Sequence, residues 1–244
     1  MEQVCLTVQY DGTAYHGWQV QPNGRTVQQV LQDAIETVTG VRAPLTGCSR
    51  TDAGVHAHCF YCTTLTPARL TPEKFVKALN ANLPQDMAVL DCKTVSLDFH
   101  PRYSAVKKRY VYCIWNGQTH NPFWQRYSLH IRKPLDETAM NIAAKHFVGT
   151  HDFSAFCSAG SEVEDKVRTI YRAEVTREGD LLRFTVEGNG FLYNMVRIMV
   201  GTLLDIENGK LSKESIDQAL KNGNRNLAGP TAPACGLFLD EVMY

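Results

Sequence analysis

Gly47-Cys48-Ser49-Arg50-Thr51-Asp52-Ala53-Gly54-Val55-His56-Ala57 is the stretch from which the rest of the chain is read. One carboxylate, Asp52, stands among small residues and permissive glycines, with the Arg50 guanidinium two positions before it. Small neighbours let a large flat molecule come close to the acid, and Arg50 has the reach to contact phosphate or to fill space beside it. Taken alone the run is a loop, and most such loops are turns. Its flanks give it a frame. A short strand is expected over Val41 to Leu45, and His56 to Thr64 reads as the strand leading out.

Upstream, Gln3 to Tyr10 alternates as a strand and ends at the turn signal Asp11-Gly12. After Trp18 and Pro22-Asn23-Gly24 a helix is expected to start at Thr26. Thr26 and Gln29 have capping-box spacing, Val27, Val30, Leu31, Ala34, Ile35 and Val38 make one apolar stripe, and Gly40 stops it. Downstream, Thr71-Pro72 opens a second helix to about Asn82, and Met87 to Ser96 returns as a strand. The order is strand, helix, strand, strand, helix, strand.

The second half repeats that order with longer insertions. Lys108 to Trp115 is a strand, Asp136 to Phe147 a helix, and Arg168 to Arg177 with Leu181 to Asn189 a hairpin. Phe191 to about Ile206 is an apolar helix, another helix follows Ser212, and Leu237 to Val242 is a final strand. This predicts an α+β fold of two ferredoxin- or RRM-like halves, residues 1–105 and 106–244, sharing a mainly antiparallel mixed sheet with a central cleft. The duplication is one of topology, with no residue-level repeat. The absence of a low-complexity linker favours a shared sheet.

Composition is that of an ordinary globular protein, 44% hydrophobic and 20% charged. Met1 to Tyr10 lacks the basic start and apolar run of a secretory leader, and the most apolar stretch, Met195 to Leu204, is broken by Arg197, Gly201 and Thr202. The expectation is a cytoplasmic protein without a membrane span, its eight cysteines reduced. Twenty-five basic residues balance twenty-five acidic ones. From Phe99 to Leu135, however, Arg102, Lys107, Lys108, Arg109, Arg126, Arg132 and Lys133 meet no Asp or Glu, so the other residues sum to minus seven. Such a window suits a polyanion partner; it also reads as a solvated charged surface.

Phosphate-cradling, dinucleotide and H-E-x-x-H motifs are absent, and nothing in the sequence requires a cofactor. His56, His58, Cys59 and Cys62 lie close together, but in a strand their side chains alternate between faces, and no second pair completes a tetrahedral site. No metal is expected. In Lys107-Lys108-Arg109-Tyr110-Val111-Tyr112-Cys113, Tyr110 and Tyr112 share one face while Arg109 and Val111 take the other. An aromatic beside cations suits a stacked base with its phosphates neutralised, and equally suits an edge strand with core tyrosines. In Phe191 to Gly201, Arg197 lies inside an apolar helix and must pair, snorkel or meet substrate.

These stretches together resemble the tRNA pseudouridine synthase A (TruA-type) family. Arg50 to His56 is similar to its R-T-D-A-G-V-H run, Lys108 to Tyr112 to its K/R-x-Y-x-Y segment, and Phe191 to Gly201 to its F-x-x-x-M-V-R-x-x-V-G segment. Tyr10 to Gln19, Asn80 to Pro84 and Glu187 to Phe191 resemble further family segments, as does Asp98 to Arg102, with Pro101 in the place of an alanine. The resemblance runs from residue 3 to about 242. It leaves the RNA contacts of the segment from Cys157 to Lys166 open.

The resemblance implies the pseudouridine synthase fold and conversion of uridine to pseudouridine at positions 38, 39 and 40 of the tRNA anticodon stem-loop, without metal or organic cofactor. Asp52 would act at the sugar, by attack on C1′ or by removal of the 2′ proton. Tyr110 would stack on the base and is a candidate to take the C5 proton, and Arg197 would pair with Asp52 and keep it ionised. Arg50 is the residue nominated to occupy the gap left by the unstacked uridine. Lys107, Lys108 and Arg109, with Arg50, are the expected RNA contacts. A homodimer gripping one tRNA is implied as well; Tyr103, Trp115, Phe123 and Trp124 are candidates for that interface or for RNA contact, core burial being their default. Two alternatives stand beside this reading: a non-catalytic RNA-binding module that makes no use of Asp52, and a paralogous synthase acting on other uridines.

Overall fold

The computed structural model describes residues 2–66, 70–161 and 163–244. The chain divides into two compact units, one of residues up to Val106 together with Phe238–Tyr244, the other Lys107–Leu237.

In the first unit the elements are β1 (Glu2–Tyr10), α1 (Val27–Thr39), β2 (Thr46–Gly47), β3 (His56–Thr66), α2 (Pro72–Asn82) and β4 (Met87–Thr94). The last strand of the chain, β10 (Leu237–Met243), returns here. β1 lies between β4 and β3, antiparallel to both, β2 pairs antiparallel with β3, and β10 runs parallel to β3 at Phe238↔His56 and Leu239↔Ala57. Cross-strand partners Val8 and Phe60, and Leu6 and Cys62, are fully buried. So are Leu31 and Ile35 of α1 and Leu79 of α2. Each such aliphatic side chain withdrawn from water contributes about 1.5–3 kcal/mol. Helix α1 starts where its cap requires: the Thr26 side chain accepts from Gln29 N, and Gly40 closes it in the left-handed region at φ 72°.

The strand expected over Val41 to Leu45 does not form; pairing begins at Thr46. Pro44 has no N–H to give a ladder. The neighbouring carbonyls are taken by side chains: Gln32 Nε2 donates to Ala43, Thr64 Oγ1 to Pro44 and Gln28 Nε2 to Leu45. Burial raises the Cys5 thiol to about 12 and the Cys62 thiol well above its ordinary value, so both stay protonated at neutral pH.

The second unit contains β5 (Lys107–Trp115), β6 (Leu129–His130), α3 (Glu137–Ala144), β7 (Gly149–Asp152), β8 (Val167–Glu178), β9 (Leu181–Gly188), α4 (Met195–Glu207) and α5 (Glu214–Asn222). Strands β5, β9, β8 and β7 are antiparallel neighbours in that order, and β6 pairs parallel with β5. The hairpin expected across Glu178-Gly179-Asp180 forms, with Gly179 at φ 58°. Two helix bounds differ from expectation. The third helix shortens to Ala144 and tightens into a 3-10 turn over Lys145–Phe147. The apolar helix begins at Met195 rather than Phe191, because Asn194 takes a left-handed conformation at φ 61°. Each unit is thus α+β, with a mostly antiparallel sheet containing one parallel pair. No helix among the described residues is long and apolar enough to cross a membrane.

Candidate active site

Asp52 belongs to the first unit, half-buried, and its neighbour Arg50 is exposed. The loop that carries Asp52 is held from the segment between β1 and α1. Trp18 N donates to the Thr51 carbonyl at 3.1 Å, and the Tyr10 and Thr51 hydroxyls are hydrogen-bonded at 2.8 Å in a buried setting. Beyond Asp52, Gly54 N donates to the Tyr15 carbonyl at 3.1 Å and Val55 N to the Asp52 carbonyl at 3.2 Å. Two glycines permit this approach. Gly54 turns at φ 77°, and a Cβ on Gly17, itself at φ 84°, would lie 2.5 Å from the Thr51 carbonyl oxygen.

His56 closes the loop. Its ring is 1% exposed and stacks on Phe238 at 4.6 Å. Nδ1 accepts from Gly12 N at 3.0 Å and also lies 3.1 Å from Asp11 Oδ1. An accepting Nδ1 carries no proton, so the Gly12 bond and an Asp11 ion pair belong to different states of the ring. The Gly12 bond is the one that needs no buried charge. Beyond His56, His58 turns outward to Asp240 at 3.0 Å. Among the described residues no group of three or more His, Cys, Asp or Glu is placed to hold a metal ion.

Tyr110 and Arg197 belong to the second unit. The alternation expected along β5 is present: Lys108, Tyr110 and Tyr112 are buried, while Lys107, Arg109 and Val111 are half-buried on the other face. The Tyr110 ring meets Phe191 edge-on, centroids 4.9 Å apart. Tyr112 donates its hydroxyl to the Pro233 carbonyl at 2.8 Å. Lys108, 7% exposed, lies with the tyrosines and not beside Lys107 and Arg109. Those two converge instead on Glu187 of β9, a residue sequence reading did not single out. Lys107 Nζ is 2.8 Å and Arg109 3.5 Å from its carboxylate, and Arg172 of β8 is 3.9 Å away. Strand register brings them together, since Arg109 and Arg172 both face Glu187 across the ladders.

Arg197 sits in the first turn of α4, half-buried. Nε donates to the Ala232 carbonyl at 2.7 Å and Nη1 to Asn194 Oδ1 at 2.8 Å. Ala232 N donates back to the Arg197 carbonyl at 3.1 Å. A Cβ on Gly201 would lie 1.8 Å from the Pro230 carbonyl oxygen, so α4 and the strap of chain through Pro230 and Ala232 meet backbone to backbone. The guanidinium is therefore fixed on two of its donors, and an arginine in an apolar helix has its polar partners. Of the aromatics considered for a surface role, Tyr103 is 77% and Phe123 86% exposed, while Trp115 and Trp124 are half-buried. Glu162, inside the segment from Cys157 to Lys166, lies outside the described residues.

A held acid, a tyrosine strand and an oriented arginine occur in one chain together with a family match. The model of the family described as tRNA pseudouridine synthase matches residues 6–104 and 143–244. The chain belongs to the tRNA pseudouridine synthase A family. It is 45% identical over 244 residues, all of both chains, to tRNA pseudouridine synthase A of Acetivibrio thermocellus. It is 46% identical, again over all of both chains, to that of Thermoanaerobacter sp., and 47% identical to that of Shouchella clausii over 100% of this chain and 94% of the other. A solved structure described as a Cbf5-Nop10-Gar1 complex aligns with 96% of this chain and 57% of its own at 13% identity and a TM-score of 0.38, a likeness too slight to carry an argument. For a tRNA pseudouridine synthase A family member, the signals that sequence reading left without a role are Tyr10 to Trp18 and Glu187. Both lay in quoted segments, Tyr10 to Gln19 and Glu187 to Phe191, but only tertiary contacts show what either holds.

Proposed function

We propose that this chain isomerises uridine to pseudouridine at positions 38, 39 and 40 of the tRNA anticodon stem-loop, with Asp52, Tyr110 and Arg197 as the catalytic residues. The observation that carries the reading is Asp52 itself: a half-buried carboxylate in the R-T-D-A-G-V-H run, on a loop whose backbone is hydrogen-bonded on both sides of it. A non-catalytic RNA binder gains nothing from fixing an acid, which repels phosphate.

In this reading the N1–C1′ bond breaks, the freed base turns, and a C5–C1′ bond forms. The C5 hydrogen leaves as a proton and N1 gains one, so atoms and electrons balance without a redox partner. Asp52 acts at the sugar, at C1′ or at the 2′ proton, and its position in a pre-held loop spares the reaction the cost of ordering it. Arg197 pairs with Asp52 and favours its ionised form; two protein hydrogen bonds already orient the guanidinium. Tyr110 stacks on the base, with Phe191 as its support from one edge. Arg50, exposed beside Asp52, takes the space left in the RNA stack. Lys107 and Arg109 meet the RNA backbone from a half-buried face, with Lys108 assisting from the tyrosine side. The working form is a cytoplasmic homodimer that grips one tRNA, a reading to which the exposed Tyr103 and Phe123 rings lend support.

The test is tritium release from C5-labelled uridine in unmodified tRNA, comparing wild type with Asp52→Asn. Release by wild type alone, with tRNA binding retained by both, is the expected result. Tight tRNA binding without release by wild type would move the assignment to a binding module.

A further inference from the structure

A buried hydroxyl pair lies directly behind the residue expected to do the chemistry. Tyr10 is 4% and Thr51 7% exposed, and their hydroxyl oxygens are 2.8 Å apart. Tyr10 reaches Thr51 because the β1–β3 ladder is irregular there. Val8 faces Phe60 but Tyr10 faces Ala57, so two steps along β1 are matched by three along β3. Without the extra β3 residue Tyr10 would face His58. A bulge of this kind re-aims a side chain, and here it aims the phenol at the base of the Asp52 loop.

Thr51 is thereby held at two points, its carbonyl by Trp18 N and its hydroxyl by Tyr10. The next peptide carries Asp52. Rotation about the Thr51 Cα–C bond would swing the carbonyl off Trp18 N, and beyond Asp52 the Tyr15 carbonyl holds Gly54 N, so the backbone from which the carboxylate leaves is set from both sides.

We propose that Tyr10 is a positioning residue for Asp52, acting through the Thr51 hydroxyl and not on the RNA. The inference rests on the proposed synthase reading and deepens it. Tyr10 contributes no proton and no charge. It keeps the acid within the narrow range of positions that the reaction tolerates, where displacement by about 1 Å can cost up to about a hundredfold in rate.

The test is a double-mutant cycle on tritium release under single-turnover conditions, using the full chain and unmodified tRNA. Tyr10→Phe keeps the ring, which packs on Phe60 with centroids 5.8 Å apart, and removes only the hydroxyl. It should lower the rate at saturating tRNA by about tenfold and leave the tRNA dissociation constant within about twofold. Thr51→Val should give the same loss, the double variant should be no slower than either single, and Thr51→Ser should keep most of the wild-type rate. Losses that multiply in the double variant, losses that track a fallen melting temperature, or a wild-type rate in Tyr10→Phe would each overturn the proposal. A wild type that releases no tritium overturns the synthase reading instead, and this inference with it.

Discussion

Asn194 Oδ1 accepts a hydrogen bond from Arg197 Nη1 at 2.8 Å, and Asn194 is the only non-glycine residue at positive φ among the described residues. The two facts have one origin. Asparagine tolerates the left-handed region, which lets the chain turn sharply into α4 and leaves the side chain beside the first turn. Asn194 Nδ2 is tied in turn to Ser158 Oγ at 2.9 Å. Asn194→Gly should keep the backbone and lose the hold on Arg197; Asn194→Ala should lose both. In urea denaturation the alanine variant should be less stable than the glycine variant by about 1 kcal/mol. Single-turnover rates should fall to a similar extent in the two. Full activity in Asn194→Gly would mean that Ala232 alone orients the guanidinium.

Gly201 tests the other side of the same arginine. Its missing Cβ would stand 1.8 Å from the Pro230 carbonyl oxygen, a backbone atom with no side-chain freedom to move aside. Gly201→Ala must therefore push the strap at Pro230 off α4, and Ala232, two residues on, carries the Arg197 contact. The expected loss is about 2–3 kcal/mol in unfolding free energy, together with reduced turnover. Gly209→Ala is the control. That position, unlike Gly201 inside α4, is left-handed, at φ 72°, and nothing lies within 4 Å of the added carbon, so only the backbone cost of about 1 kcal/mol applies. Calorimetry of the two variants separates collision from conformation.

Local chemistry was legible in the sequence. Thr26 and Gly40 bound α1 because capping and left-handed closure are decided within a few residues. The alternation in β5 and the hairpin at Gly179 depend only on neighbours in sequence and on one ladder. The failures depend on distant partners. Val41 to Leu45 reads as a strand, but its carbonyls are claimed by side chains of Gln28, Gln32 and Thr64, which belong to a neighbouring helix and strand and reach them only once the chain has folded back. Lys107, Lys108 and Arg109 looked like one basic run, whereas the pleat divides them and Glu187, 80 residues from Lys107, collects two of them. The Asp52 motif was visible at once. What holds it, from Tyr10 to Trp18, becomes visible only with the fold.

Gly17 is where that holding segment meets the Thr51 and Asp52 backbone. At φ 84° any side chain is strained, and a Cβ would meet the Thr51 carbonyl oxygen at 2.5 Å and the Asp52 carbonyl carbon at 3.2 Å. Gly17→Ala should cost about 2 kcal/mol in stability and shift the Asp52 backbone. The measurement is turnover at a temperature where the variant is still fully folded, as judged by its unfolding curve. A variant that is less stable but turns over at the wild-type rate would show that the loop tolerates displacement, contrary to the need for a fixed carboxylate.

Glu187 gives a prediction in pH. Its side chain is 8% exposed, and burial by itself pushes the carboxyl upward. The Lys107 hydrogen bond and charge, followed by those of Arg109, more than offset that and hold it below the ordinary glutamate value. A carboxyl with a lower pKa folded than unfolded stabilises the native state at neutral pH, and the contribution fades as pH falls through the unfolded and then the folded value. Glu187→Gln should therefore be less stable than wild type at pH 7, by about 1–2 kcal/mol because its partners are partly solvated. The gap should narrow as the pH is lowered towards about 3, where the wild-type carboxyl is increasingly protonated. Urea denaturation of both proteins across that range reads the difference directly. A gap of constant size from pH 7 downward would mean that Glu187 contributes through packing and neutral hydrogen bonds, and that its charge is not what organises Lys107 and Arg109.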